Sequence, residues 1–566
     1  SGSIIINATN GIGAYLKGGK IVNSGTITVT GAGAQEEYKF EVADTSKGVG
    51  GIEIDTTTGS AIIKRDGVQV TPVSIVTNMT EAPKTVSASS IGIYIDTSGI
   101  SFTKSIGGLG QLTSKADLIV GAEAAEYTTS KEIIVTDKNI IKPYEESMKA
   151  NPQVTDWSIY SGSLTWTATG TLDPGGYLTG LAMAKIPYTK WAGSVATPVE
   201  STDTYNFLDG LEQRYGVEGL GTREKALFDK ISSIGNNEEI LLYQAIDEMM
   251  GHQYANTQQR INSTGNVLDK EFNYLRKEWE TASKDSNKVK VFGSREEYNT
   301  DTAGVIDYKN DAYGVAYLHE DETVKLGANT GWYAGVVHNI FKFKDIGGSR
   351  EETTMGKLGI FKTTTFDNNG SLKWKISGEG MLGYSEMNRR FLVVDEIFGA
   401  RSTYTSYGLA LRNELSKEIR LSERTSLKPY GSIDIEYGRY GNIKEETGEV
   451  RLEVKGNDYY SIKPEVGIEY KYKQPMFVRT NLTASIGIAY ENELGKVNDA
   501  DNKARVAYTN ADYFNLRGEK ENREGNVKGD LKLGIENSRI GFTLDLGYDT
   551  KGENLRGGIC FEKRNF

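Results

Sequence analysis

From about residue 285 to the end of the chain, apolar and polar positions alternate with a period of two. In Glu465-Val466-Gly467-Ile468-Glu469-Tyr470-Lys471-Tyr472-Lys473 every even position is apolar or aromatic, and every odd one is polar or Gly. Val478, Leu482, Ala484, Ile486, Ile488 and Tyr490 keep that frame opposite Arg479, Asn481, Thr483 and Ser485. Ile433, Ile435 and Tyr437 likewise oppose Asp434 and Glu436, and Phe542, Leu544 and Leu546 oppose Thr543 and Asp545. Such a period marks strands with one apolar and one polar face. The pattern predicts twelve strands, beginning near residues 287, 312, 324, 354, 371, 404, 425, 460, 477, 526, 540 and 556, and a further segment around 504–518 that projects beyond the sheet. Connections alternate between short (Asn368-Asn369-Gly370; Gln474-Pro475; Asn537-Ser538-Arg539) and long (386–403, 439–458, 491–525). An even strand count, with short turns on one rim and long loops on the other, describes an outer-membrane barrel. A lipocalin-like barrel also alternates, with its apolar face inward. Twelve strands, however, enclose a lumen too wide for side chains to fill. The polar face is therefore predicted to point in, placing Arg412, Glu414, Asp434, Glu436, Glu465, Glu469, Lys471, Arg479, Asp530 and Lys532 on a wetted wall, paired with one another or gripping a helix.

The period changes between about 201 and 284. Apolar residues three and four apart in Thr204–Leu211 and Arg223–Ile231 predict helices. Glu238 to Trp279 continues as helix, with Asn237 as its N-cap, and would span about 65 Å if unbroken. Gly251 and Gly265 are its break points. His252 to Asn266 is almost entirely polar, so the segment 236–280 is predicted to lie in water or in a polar lumen. Tyr243, Asp247, Gln253, Gln258 and Arg260 are its candidate contact residues. A solvated interdomain helix is the other interpretation.

Residues 1 to about 195 are rich in Gly, Thr, Ser and Ile and poor in helix signals. Short strand-like runs such as Ile91-Gly92-Ile93-Tyr94-Ile95 recur, with glycines at the corners, at irregular spacings of about 40 residues, which suggests a right-handed β-helix. A β-sandwich with Gly-rich turns is the alternative. At its end, 156–172 reads as strand, turn and strand carrying Trp157, Tyr160 and Trp166, aromatics suited to covering the open end of a solenoid.

Composition narrows the class. The chain has 566 residues and a net charge of −11, which argues against nucleic acid as a partner. A mean hydropathy of −0.44 and no apolar run near 20 residues exclude a transmembrane helix but leave a barrel open. A lone cysteine, Cys560, excludes an internal disulfide framework. With 65 Gly to 10 Pro, the strands can bend and keep their ladder donors. Opening on Ser1-Gly2-Ser3, the chain reads as a mature fragment of a longer product.

Solenoid, helix and C-terminal barrel in this order resemble the monomeric (type V) autotransporters of Gram-negative outer membranes. Tyr243-Gln244-Ala245-Ile246-Asp247-Glu248-Met249-Met250-Gly251-His252-Gln253-Tyr254-Ala255 is similar to that family's linker, and Lys551-Gly552-Glu553-Asn554-Leu555 to its last turn. Asn388-Arg389-Arg390-Phe391 and Lys455-Gly456-Asn457-Asp458-Tyr459-Tyr460 resemble the large fusobacterial adhesins. The resemblance implies a mainly β protein in four parts. These are C-terminal coils of a β-helix passenger (1–150), an autochaperone or capping region (151–200), an α-helical linker (201–284) and a 12-stranded translocator barrel (285–566) holding the helix. It implies an outer-membrane translocator and anchor that secretes and displays an adhesin. Its partners would be outer-membrane lipid and lipopolysaccharide, the barrel assembly machinery, and host-cell or bacterial surface receptors bound by the distal passenger. The protein would be a monomer without cofactors. Phe566 fits the terminal aromatic of the assembly signal, although Arg564 stands where an apolar residue is usual. Some family members cleave their passenger between adjacent asparagines in the barrel. The only such pair near the linker, Asn236-Asn237, lies at its start, so an uncleaved passenger is expected.

Signs of catalysis are absent from the sequence. The three histidines, His252, His319 and His338, have no i+4 partner for a metal. The stretch before the linker holds no histidine for a Ser–His–Asp set, and no nucleophile elbow or Walker loop occurs. Glu351-Glu352 and Glu445-Glu446 read as solubilising loop acids. The competing function is a plain outer-membrane pore or barrel enzyme with an extracellular β cap.

Overall fold

The computed structural model describes residues 90–565 apart from 101–103, 194–200, 277–284, 303, 323–326, 478, 499–501 and 520–522, and, before residue 90, the backbone of nine short strands between Ser3 and Val76. Of those nine, Ser3–Asn7 and Thr26–Thr30 pair in parallel and the others pair antiparallel. Then follow β1 (Ile91–Ile95), β2 (Lys115–Val120), β3 (Glu132–Val135), α1 (Lys138–Ala150), β4 (Asp156–Ser161), β5 (Trp166–Leu172) and β6 (Leu178–Lys185). Strands β1, β2 and β4 stack in parallel, as coils of a solenoid do, whereas β3, β6 and β5 form an antiparallel sheet. Helix α1 interrupts a region that reads as strand-rich. Asp137 caps it, its side chain accepting from the Asn139 amide, and Ile140, Ile141, Tyr144 and Met148 bury one stripe. Trp166 is core, its indole donating to Ser232 Oγ at 3.1 Å; Trp157 is half-buried and Tyr160 exposed.

Four helices lead to the barrel: α2 (Ser201–Arg214), α3 (Arg223–Ser232), α4 (Glu239–Met249) and α5 (Thr257–Arg276). A single long helix does not form, because Gly251 takes φ +76° and turns the chain between α4 and α5. Gly265 is passed without a break. Asn237 is not a cap: it adopts φ +88°, and Glu238 occupies the N-cap position without a side-chain cap bond.

Twelve long strands close the barrel: β7 (Asp285–Tyr298), β8 (Tyr308–Glu322), β9 (Asn329–Phe343), β10 (Arg350–Thr365), β11 (Leu372–Val393), β12 (Glu396–Lys417), β13 (Thr425–Tyr440), β14 (Asp458–Phe477), β15 (Thr480–Glu491), β16 (Asn526–Asn537), β17 (Ile540–Asp549) and β18 (Asn554–Asn565). Pairing of Asp285–Arg295 with Leu555–Asn565 completes the ring. Two connections differ from their sequence-based bounds. The 386–403 loop is instead a hairpin, β11 and β12 remaining paired up to Val393 and Glu396. The turn expected at Gln474-Pro475 instead falls between Phe477 and Thr480, because β14 runs on to Phe477 through a register shift. The long connections 441–457 and 492–525 carry short strands of their own, Ile443–Gly448, Leu452–Val454, Lys503–Val506 and Phe514–Asn515.

The outer face carries a belt in which Leu382 is 73%, Ile360 69%, Leu409 69% and Leu546 59% exposed. A continuous exposed apolar surface on a closed barrel is one that lipid covers. Among the described residues no helix is long and apolar enough to cross a membrane.

Candidate functional site, the occupied barrel lumen

Helix α5 lies inside the barrel, and its wall has two unlike halves. On β7–β10 the inward side chains include Phe292, Ala312, Ala316, Leu318, Tyr333, Val337, Phe341, Met355 and Phe361, all buried. Here the helix docks closely: the Phe272 and Tyr333 rings lie 4.5 Å apart between centroids. A Cβ on Gly335 would sit 2.8 Å from Leu268 and 3.0 Å from Phe272, so only glycine allows this approach. The polar inner face expected from alternation is thus interrupted over β7–β10 by an apolar patch. Over β8 and β9 both faces are largely apolar, so the period of two is faint there.

The other half, β12–β18, is charged, and much of it stands off from the helix. Between them lies a cavity of about 650 Å³ lined by Asn262, Asn266, Lys463, Glu491 and Lys528, among others. The polar groups of α5 nonetheless find specific partners. Arg260 donates to both Glu351 oxygens at 3.1 and 2.8 Å. Lys357 reaches both oxygens of Asp269, at 2.8 and 2.9 Å, and lies 3.0 Å from Glu379 and from Glu436. Lys270 pairs with Asp549 and Glu271 with Lys290. The Asn262 amide donates to Glu436 at 3.0 Å, and Asn339 donates to Thr264 Oγ1 at 3.1 Å. The carboxylates of Asp269, Glu379 and Glu436 converge as a cation's ligands would, but the Lys357 ammonium already supplies that charge. Each charge on the helix between Arg260 and Glu271 therefore meets its opposite on a different part of the wall, and the pairs fix both depth and rotation.

Residues 288–548 match the autotransporter β-domain family. The barrel is an autotransporter translocator. Among solved structures the chain is similar to the translocator domain of autotransporter NalP from Neisseria meningitidis, at 11% identity and a TM-score of 0.43, covering 55% of this chain and 99% of that one. It is also similar to the transport unit of AIDA-I from Escherichia coli, at 12% identity and a TM-score of 0.34 over 57% and 99% of the two chains. The β domain of the Bordetella autotransporter BrkA gives 10% identity and a TM-score of 0.36 over 50% and 99%. No curated protein matches. The translocator resides in the outer membrane, where it exports and anchors the chain that precedes it.

The translocator brings most of the sequence-predicted lumen residues onto its charged half. Arg412 lies 3.7 Å from Asp434, 3.8 Å from Glu414 and 3.6 Å from Glu465. Glu465 also accepts from the Tyr430 hydroxyl at 2.7 Å and from Lys528 at 3.1 Å. Glu469 stands 4.0 Å from both Lys471 and Lys532, and Asp530 pairs with Arg556. Of these ten side chains, Glu436 accepts from Asn262 of the helix, and the Lys532 ammonium lies 3.9 Å from the centroid of its Tyr274 ring. Arg479 is a correction: it is exposed, at φ +62°, in the turn between β14 and β15, because the strand before it is longer than its pattern suggested.

The linker residues divide. Gln258 and Arg260 are in the lumen, whereas Tyr243, only half-buried on α4, precedes the bend and does not enter it. Asp247 pairs with Arg517 of the 492–525 loop, and Gln253 donates to Asp345 at 2.8 Å. Phe566 lies outside the described residues. Arg564 faces inward and pairs with Glu536 at 2.7 Å, which explains its break with the usual apolar pattern. Sequence reasoning missed Glu351 and Glu445, which are fully buried ion-pair partners of Arg260 and Arg389 and not loop acids. Their signal was parity: Glu351, Thr353, Met355 and Lys357 share one face of β10, and starting that strand at 354 hid it.

Proposed function

We propose that α5 stays in the translocator lumen once export ends, plugging the pore and tethering an uncleaved adhesin passenger whose final portion is the β-rich region before α2. The observation that carries this is the matched pairing of α5 with the wall, Arg260 with Glu351, Asp269 with Lys357, Lys270 with Asp549 and Glu271 with Lys290. A segment merely in transit has no use for buried partners, since an unpaired buried charge costs several kcal/mol. In this proposal the chain performs no covalent chemistry. Lipopolysaccharide and lipid surround its belt, the assembly machinery inserts it as a monomer, and receptors are bound by passenger residues beyond the β-rich region.

Planar-bilayer recording of the whole chain tests the plug. The expected result is a small, steady conductance that grows when 236–280 is deleted. A wide open pore from the intact chain overturns it, and would favour the pore-with-cap alternative, for which the cavity beside α5 speaks. Attachment is read separately in outer-membrane preparations, where a distinct barrel-sized fragment would show cleavage.

A further inference from the structure

The bend between α4 and α5 sits in a collar made by the two long loops and the end of β11. Arg389 lays its guanidinium on both oxygens of Glu445, at 2.7 and 2.8 Å, and donates to the Met249 and Val450 carbonyls at 3.1 and 3.0 Å. The same carboxylate accepts from the Tyr254 hydroxyl at 3.0 Å and the Leu452 amide at 2.6 Å. On the other side of the bend, the Asn502 side chain exchanges hydrogen bonds with the Gln258 amide at 2.7 and 2.9 Å. It also donates to the Ala255 carbonyl and accepts from the Tyr440 hydroxyl at 3.0 Å. Arg389, Glu445, Asn502 and Tyr254 are each 0% exposed. Pairing of Leu452–Val454 with Ala504–Val506 ties the two loops together over the bend. Leu452 closes on Gly251, where a Cβ would lie 2.4 Å from Leu452 Cδ1.

This network is satisfied by one alignment of the linker. A slide by one residue or one turn takes Tyr254 from Glu445 and Gln258 from Asn502, in a place too tight for water to replace them. Each buried polar group so orphaned costs about 1–3 kcal/mol. The charged wall beside the cavity is different, because water there can re-satisfy a displaced side chain. We propose that Glu445 and Asn502 set the register at which the linker comes to rest, stopping export with Gly251 at the rim and Thr257–Arg276 in the lumen. They are positioning residues, acting on where the chain stops and not on its passage. The inference rests on α5 remaining in the lumen, as proposed above.

Register can be read by disulfides in the whole chain, in a Cys560→Ala background. Thr264→Cys with Asn339→Cys reports the native alignment, since these side chains touch at 3.1 Å. Leu268→Cys with Asn339→Cys reports an outward slip of one turn. With the native collar the 264–339 bond should form and the 268–339 bond should not. Glu445→Gln with Asn502→Leu should lower the first about tenfold and raise the second. Unchanged yields in inserted, heat-modifiable barrels overturn the proposal. Tyr254→Phe alters only the linker, so it should shift the yields in the same direction even where the loop variant fails to insert. No 264–339 bond with the native collar overturns the plug itself, and so separates the two failures.

Discussion

The two halves of the barrel wall hold the same helix by different physics. On β7–β10 the contact is dry: aromatic and small side chains meet Leu268 and Phe272, and the charges there are buried in pairs, Arg260 on Glu351 and over the Phe343 ring, Asp269 on Lys357 and Glu271 on Lys290. On β12–β18 most charges pair along the wall, with Glu436 and Asp549 reaching the helix, and a cavity leaves room for water. A dry contact is strong but unforgiving, since a charge stripped of its partner cannot hydrate. A wet contact is weak and tolerant, since water replaces what a mutation removes. The difference teaches that burial, and not charge count, decides which lumen residues hold the helix.

Arg260→Leu should have the largest effect. It leaves Glu351 buried without its cation, and should cost about 3–5 kcal/mol. Urea titration of the compact, heat-modifiable species on gels measures it. Adding Glu351→Leu should recover most of the loss, because an apolar pair fits a dry wall; a double variant no better than the single would mean the wall here is wet. Phe272→Ala comes next, at about 3 kcal/mol, from lost burial plus the cavity left against Tyr333 and Gly335. Lys528→Met, on the wet half, should cost less, although it frees Glu465 and Glu491, which lie 3.1 and 2.6 Å from its ammonium, because the cavity that Lys528 and Glu491 line admits water. A loss as large as that of Arg260→Leu would erase the distinction between the halves.

How much was legible in the sequence follows the same division. Strands β13–β18 have lipid outside and charges inside, so each face declares itself, and their starts lie within three residues of those predicted. Strands β8 and β9 pass between lipid and a docked helix. Both faces are apolar, and their predicted starts at 312 and 324 miss by four and five residues. The site shows the same pattern. Arg412, Asp434 and Glu465 stand out because they alternate with apolar neighbours, yet they pair mainly with one another. Glu351, Lys357 and Lys290, which grip the helix, depend on which residue of α5 comes to rest beside them, and that is set by the bend at Gly251. The antiparallel sheet of β3, β5 and β6 was hidden for another reason: short Thr- and Ile-rich strands look alike whether they pair in parallel or not.

The smallest expected effect carries the contrast outside the membrane, to Lys185. Its ammonium is buried under the Tyr188 ring, 3.4 Å from the centroid, with Glu212 at 2.6 Å. Burial pushes its pKa down to about 8, against the pull of Glu212. An unfolded chain holds the lysine proton up to its ordinary value near 10.5. Between those two values the unfolded state binds more protons than the folded one, so stability rises with pH in this window and is flat below it. From pH 7 to 8.5 the gain should stay below about 1 kcal/mol. Limited proteolysis of the membrane-inserted chain, followed at the sheet that holds Lys185, measures it. Lys185→Met should remove the slope. A slope of the opposite sign would mean that Glu212 and water, not the aromatic rings, dominate there, and that this lysine behaves like Lys528 on the wet wall.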